Sequence, residues 1–210
     1  YEILPLVLIG ILSGLIASLY MRGLTGYLPI PKRIPMVFYP IIAGAICGLV
    51  GLFVPEVLGL GSETISSLLV EKNTIGFLLI LMITKIFLTI TCIRLNLFGG
   101  IFSPALFIGA TLGCSVAFIL DFILPNANNS LYAIAGMAAV TGSVIGGPIS
   151  MMMITFELTS DYQVALGAGI SICFANLVSS KIYGHSAFDQ ILLNRGIDIQ
   201  IGRDNLYLSS

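Results

Sequence analysis

Residues 97–113 read LFGGIFSPALFIGATLG. Gly99 and Gly100 precede the apolar pair Ile101 and Phe102; Ser103 and Pro104 follow, and an apolar run continues to Leu124. Proline is tolerated in the first turn of a helix, where its missing N–H would have no partner. Pro104 therefore predicts a helix start at 101–103. The first N–H groups of such a helix are unpaired, and its dipole adds roughly half a positive charge there. Inside a bilayer, non-helical backbone is tolerated only where it lines a cavity or is buried in protein. Glycine lets another group approach the backbone closely, and an anion suits such a helix end. Spacing alone leaves a second reading open, an ordinary interhelical turn with a well-placed proline.

The composition places this stretch in a membrane. Hydrophobic residues make up 57% of the chain and charged residues 9%, with a mean hydropathy of +1.06. A soluble domain carries roughly 25% charged residues. The chain reads as an all-α, multi-pass integral membrane protein, embedded in a lipid bilayer such as a cell membrane or bacterial inner membrane. The net charge of −1 and the absence of a basic stripe exclude a nucleic-acid partner. Cys47, Cys92, Cys114 and Cys173 all lie in apolar stretches, without CxxC spacing or a His/Cys cluster. They read as buried small hydrophobes, neither disulfides nor metal ligands. The start, YEILPLVLIG, has no charged leader and suggests a piece of a longer protein. The ending turns polar from about residue 197, as the start of a cytosolic extension would.

Apolar segments fall near 4–20, 36–54, 75–93, 102–124, 131–145, 148–159 and 163–183. A simple span needs about 20 residues. The segments 131–145 and 148–159 are each too short and are separated by Gly146, Gly147 and Pro148, so they are expected to form one crossing from two half-helices. SETISSLL at 62–69 is expected to be a re-entrant or surface helix. Basic residues orient the chain. Arg22, Lys32, Arg33, Arg94, Lys181, His185, Arg195 and Arg203 mark cytoplasmic segments; Glu56, Glu63, Glu71, Lys72, Asp121, the NANNS stretch and Asp161 mark the outside. The pairs Gly10/Gly14, Gly44/Gly48 and Gly109/Gly113 fit small-xxx-small helix packing. Asn128–Ser130 is formally a glycosylation sequon, a match common by chance.

GGIFSPALFIGATLG resembles the GGxFxP motif of the CLC chloride channels and chloride/proton antiporters. The likeness extends to GLFVPEVLGLGSETI (51–65), to IAGMAAVTGSVIGGPISMMMITFELTSDYQ (134–163) and to GHSAFDQILLNRG (184–196). It covers nearly the whole chain, and it is specific to the C-terminal half of that family's membrane domain. The resemblance implies half of an inverted-repeat fold with broken and re-entrant helices, residues 1–196, followed by a cytosolic extension at 197–210. It implies that the Ile101 and Phe102 amides hold a chloride ion, with Gly99 and Gly100 clearing the approach. Chloride is then substrate, no cofactor is needed, and the partners are a second copy in a homodimer and the N-terminal half of the same polypeptide. The family's tyrosine on the final helix is replaced by Phe188, which is expected to sit beside the anion path. Its usual Ser-Gly-x-Pro before Gly-Gly is replaced by RLNLF (94–98). Its other anion-facing turns, including the one bearing a gating glutamate, do not occur in this sequence, so channel and antiporter are not separated.

Other residues read more plainly. Lys85, midway along an apolar span, is a functional candidate by position but is expected to be structurally paired. Glu157 is expected at a structural or rim position, ahead of a proton carrier. The Met151–Met153 run is read as packing, with a dimer contact as one option, and His185 as an interface residue. The function expected is transmembrane chloride transport by a non-enzyme. The alternatives are a relative carrying fluoride or nitrate, an intramembrane enzyme, and a non-transporting membrane scaffold. No HExxH, paired intramembrane aspartates or Ser/His set supports the enzyme.

Overall fold

The computed structural model describes residues 3–26, 35, 38–70, 74–97, 99–121 and 128–184. The described residues form helices α1 (Ile3–Thr25), α2 (Tyr39–Phe53), α3 (Ser62–Val70), α4 (Ile75–Arg94), α5 (Phe102–Asp121), α6 (Asn129–Ile145), α7 (Pro148–Thr159) and α8 (Tyr162–Ile182), with a 3-10 turn at Pro55–Val57 and no strand. α1, α4, α5 and α8 are each long and apolar enough to cross a membrane. A helix rises about 1.5 Å per residue, so the 9-residue α3 is too short to span. It lies against α5 and α6. The Leu68 carbonyl near its C-terminal end accepts from Cys114 Sγ at 3.4 Å and Asn129 Nδ2 at 2.9 Å.

α5 and α6 run antiparallel at the centre, and glycine sets how close they come. A Cβ on Gly109 would lie 2.6 Å from Met137 Cα, and one on Gly113 would lie 2.7 Å from Ala133 Cα. α1 and α8 run parallel on the same principle. A Cβ on Gly10 would meet the Ser171 carbonyl oxygen at 2.7 Å, and one on Gly14 the Ala175 oxygen at 2.6 Å. Ser171 Oγ also donates to the Leu6 carbonyl at 2.7 Å. The third pair behaves differently: nothing lies within 4 Å of a Cβ built on Gly44 or Gly48. Small-xxx-small spacing therefore marks two of the three helix contacts expected. On α2 only Ala43 and Gly51 are buried, because this helix rests on α4 and the 3-10 turn along one edge.

Two other expectations are corrected. α6 and α7 do not continue in line as a single crossing. Nine residues of straight helix would separate Gly142 from Met151 by about 13 Å, yet a Cβ on Gly142 would lie 3.6 Å from Met151 Cβ. Gly146, with φ 79°, caps α6 in the left-handed region, and Pro148 starts α7, so the chain folds back. Ala138, Met151, Ala168 and Ile172 pack together in that bend. The cysteines are not uniformly buried either. Cys114 is buried, Cys47 and Cys92 are half-buried, and Cys173, in an open groove between α7 and α8, is exposed.

The basic ends of three spans meet on one side, as the charge pattern requires. Arg94 Nε donates to the Gly23 carbonyl at 2.6 Å, and Arg22 Nη2 to the Ile182 carbonyl at 3.0 Å. A Thr25–Tyr183 hydroxyl bond of 2.5 Å closes the same edge. Cationic side chains on unpaired terminal carbonyls also favour the negative end of each helix dipole.

Candidate anion site

The α5 start sits where Pro104 predicts. The first intrahelical bond runs from the Ala105 N–H to the Ile101 carbonyl at 3.2 Å. Among the described residues, the N–H groups of Ile101, Phe102 and Ser103 have no acceptor. Ser103 Oγ donates to the Leu60 carbonyl at 2.8 Å, tying this end to the loop after the 3-10 turn. That loop turns sharply because Gly59 and Gly61 have φ of 64° and 73°, values that favour glycine.

Beside the α5 start lies a cavity of ≈ 230 Å³. Gly99, Gly100, Ser103 and Pro104 form one wall, and Gly59 and Leu60 another. Lys85 of α4 also lines it, 4% exposed. Its ammonium donates to the Val57 carbonyl at 2.7 Å and the Gly59 carbonyl at 2.9 Å, and lies 4.8 Å from the Phe107 ring centroid. The charge is thus held by carbonyls and a ring, without an acid partner among the described residues. This is the structural pairing expected of Lys85, and it also puts a cation in the cavity wall.

The expected site residues divide. Gly99 and Gly100 line the cavity. Ile101 does not: its side chain packs against the core of Tyr20, Met21, Ile108 and Val140. Phe102 is 43% exposed and also lies off the cavity lining. What remains of these two as candidate contacts is their backbone N–H groups, not their side chains. Phe188 and His185 lie outside the described residues. Sequence reasoning missed Ser103, the 57–60 loop, and the two cysteines that share the cavity. The visible signals were the Gly59/Gly61 spacing and the cation at 85 within an apolar span. Glu157 is exposed on α7, off this site.

The model of the voltage gated chloride channel family matches residues 1–180. The chain belongs to that family. The H(+)/Cl(−) exchange transporter ClcA of Salmonella arizonae is 30% identical over 151 residues, which is 71% of this chain and 32% of that protein. The Klebsiella pneumoniae ClcA is 29% identical over 153 residues, covering 72% and 32%. The chain spans about a third of the length of these curated relatives. Among solved structures, a slow cyanobacterial Cl−/H+ antiporter superposes with TM-score 0.82 at 24% identity, covering 95% of this chain and 48% of that one. A eukaryotic CLC transporter gives 0.67 at 24% identity, covering 91% and 35%. Membership of this family and the four apolar spans among the described residues make the chain a multi-pass membrane protein with a CLC-type helical fold.

Proposed function

We propose that this chain supplies one side of a transmembrane chloride pathway, and that the unpaired amides at the α5 start are its anion contact. The observation that supports the reading is the run of acceptor-free N–H groups at 101–103, with Gly99 and Gly100 opening on a cavity. An amide cradle suits transport because it holds an anion by partial charges. A full charge at the ion itself would slow release. Lys85 acts at one remove, its charge spread over two carbonyls and a ring. Gly99 and Gly100 give access, Ile101 and Phe102 give amides, and Phe188, outside the described residues, is assigned to the cytoplasmic approach on the family resemblance alone. The protein works as a transporter and not an enzyme, with chloride as substrate and no cofactor. The rest of the pathway comes from an N-terminal half, and two copies form a homodimer.

Proton-coupled exchange is the mode we favour, on the names of the relatives. The test is chloride efflux from liposomes holding the full-length protein, with external pH recorded. The account expects chloride efflux above protein-free liposomes and proton movement in the opposite direction. Chloride efflux without proton movement would make it a channel. No chloride flux, with fluoride or nitrate carried instead, would overturn the substrate assignment.

A further inference from the structure

Cys47 of α2 and Cys92 of α4 face each other with their sulfurs 3.1 Å apart. Both are half-buried and both line the cavity beside the α5 start, so a small solute can reach them. We propose that this dithiol is a redox modification site, oxidised by a small neutral peroxide to a Cys47–Cys92 disulfide that pins α2 to α4. The sulfurs need to approach by about 1 Å to reach a disulfide bond length of about 2.05 Å. α2 can supply that movement, since only two of its residues are buried and no helix covers its Gly44/Gly48 edge among the described residues.

The chemistry balances in two steps. One thiol and hydrogen peroxide give a sulfenic acid and water, as the O–O bond breaks and sulfur is oxidised. The second thiol then attacks that sulfur, forming the S–S bond and releasing a second water. Lys85 also lines this cavity and is the one cation among its lining residues. A neutral oxidant is the class that fits, because the remaining lining is mostly apolar. The other two cysteines do not compete: Cys114 Sγ is buried and donates to the Leu68 carbonyl, and Cys173 is on α8, away from the cavity lining.

The test uses the full-length protein, treated with hydrogen peroxide, denatured in N-ethylmaleimide and digested for mass spectrometry. The expected product is a peptide pair joined through Cys47 and Cys92, lighter by two hydrogens and separated by dithiothreitol. Cys47→Ser and Cys92→Ser should each abolish it. Recovery of both cysteines as maleimide adducts after peroxide, or a link from either to Cys173, overturns the proposal. Phenylarsine oxide on the unsubstituted protein gives a second reading, because it bridges two adjacent thiols with loss of one water. It should protect Cys47 and Cys92 together from maleimide; labelling of either at the untreated level counts against the pair.

Discussion

Replacing Gly14 by alanine puts a methyl group where α8 already stands. The new Cβ would lie 2.6 Å from the Ala175 carbonyl oxygen and 2.8 Å from Val178 Cβ, and ordinary contact begins at 3.4 Å. Both obstacles are backbone or backbone-adjacent, so no rotamer change removes them. α1 and α8 must part by about 0.8 Å to restore contact distance. Overpacking of this kind costs about 1–3 kcal/mol. Alanine returns about 1 kcal/mol through its higher helix propensity, so the net loss is about 0–2 kcal/mol. Gly10→Ala meets the same wall one turn earlier, at the Ser171 carbonyl, and strains the Ser171–Leu6 hydrogen bond. The two sites share one ridge, so the double variant should fall short of the sum. Gly44→Ala is the internal comparison: nothing lies within 4 Å, and the same substitution should be neutral or stabilise by up to about 1 kcal/mol. Denaturant titration in detergent, followed by circular dichroism, gives all four values. If Gly14→Ala is as stable as Gly44→Ala, α1 and α8 do not pack as described.

Three further outcomes follow from the same structure. Lys85→Met removes two charge-assisted hydrogen bonds and leaves the Val57 and Gly59 carbonyls unpaired; it should cost about 2 kcal/mol net and speed hydrogen exchange over residues 55–61. Asp161→Ala removes the α8 N-cap, whose carboxylate accepts from Gln163 N at 2.8 Å and Val164 N at 3.4 Å; a loss of about 1 kcal/mol is expected in thermal unfolding, largely recovered in Asp161→Asn. Phe188→Tyr in the full-length protein should tighten chloride binding several-fold in calorimetry, since one hydroxyl bond contributes about 0.5–1.5 kcal/mol; an unchanged affinity in both Phe188→Tyr and Phe188→Ala removes Phe188 from the path.

The helix limits were legible because the residues that mark them act locally. Pro104 and Pro148 start helices where ring geometry allows, and Gly146 ends one where φ must be positive. What local chemistry does not encode is the partner. Gly44/Gly48 and Gly10/Gly14 have the same spacing, yet α8 covers only the latter. The breakers at 146–148 announced an interruption but not its direction, which is set by packing of Met151 against Ala138 and Ile172. The candidate site divides along the same line. Free amides at 101–103 follow from one helix start, whereas the cavity depends on Lys85 meeting carbonyls 28 and 26 residues away. The Cys47–Cys92 approach spans 45 residues and had no signal in spacing at all.

Bromide is a chloride surrogate that diffraction can locate by anomalous scattering, and it tests the central claim at its own atoms. Crystals of the full-length protein grown in bromide should show a difference peak within hydrogen-bonding reach, about 3.5 Å, of the Ile101 and Phe102 nitrogens, on the side that Gly99 and Gly100 leave open. Gly100→Val should weaken or erase that peak. Peaks confined to other positions, with the 101–103 amides bonded to protein carbonyls and the space beside them closed, would contradict the account.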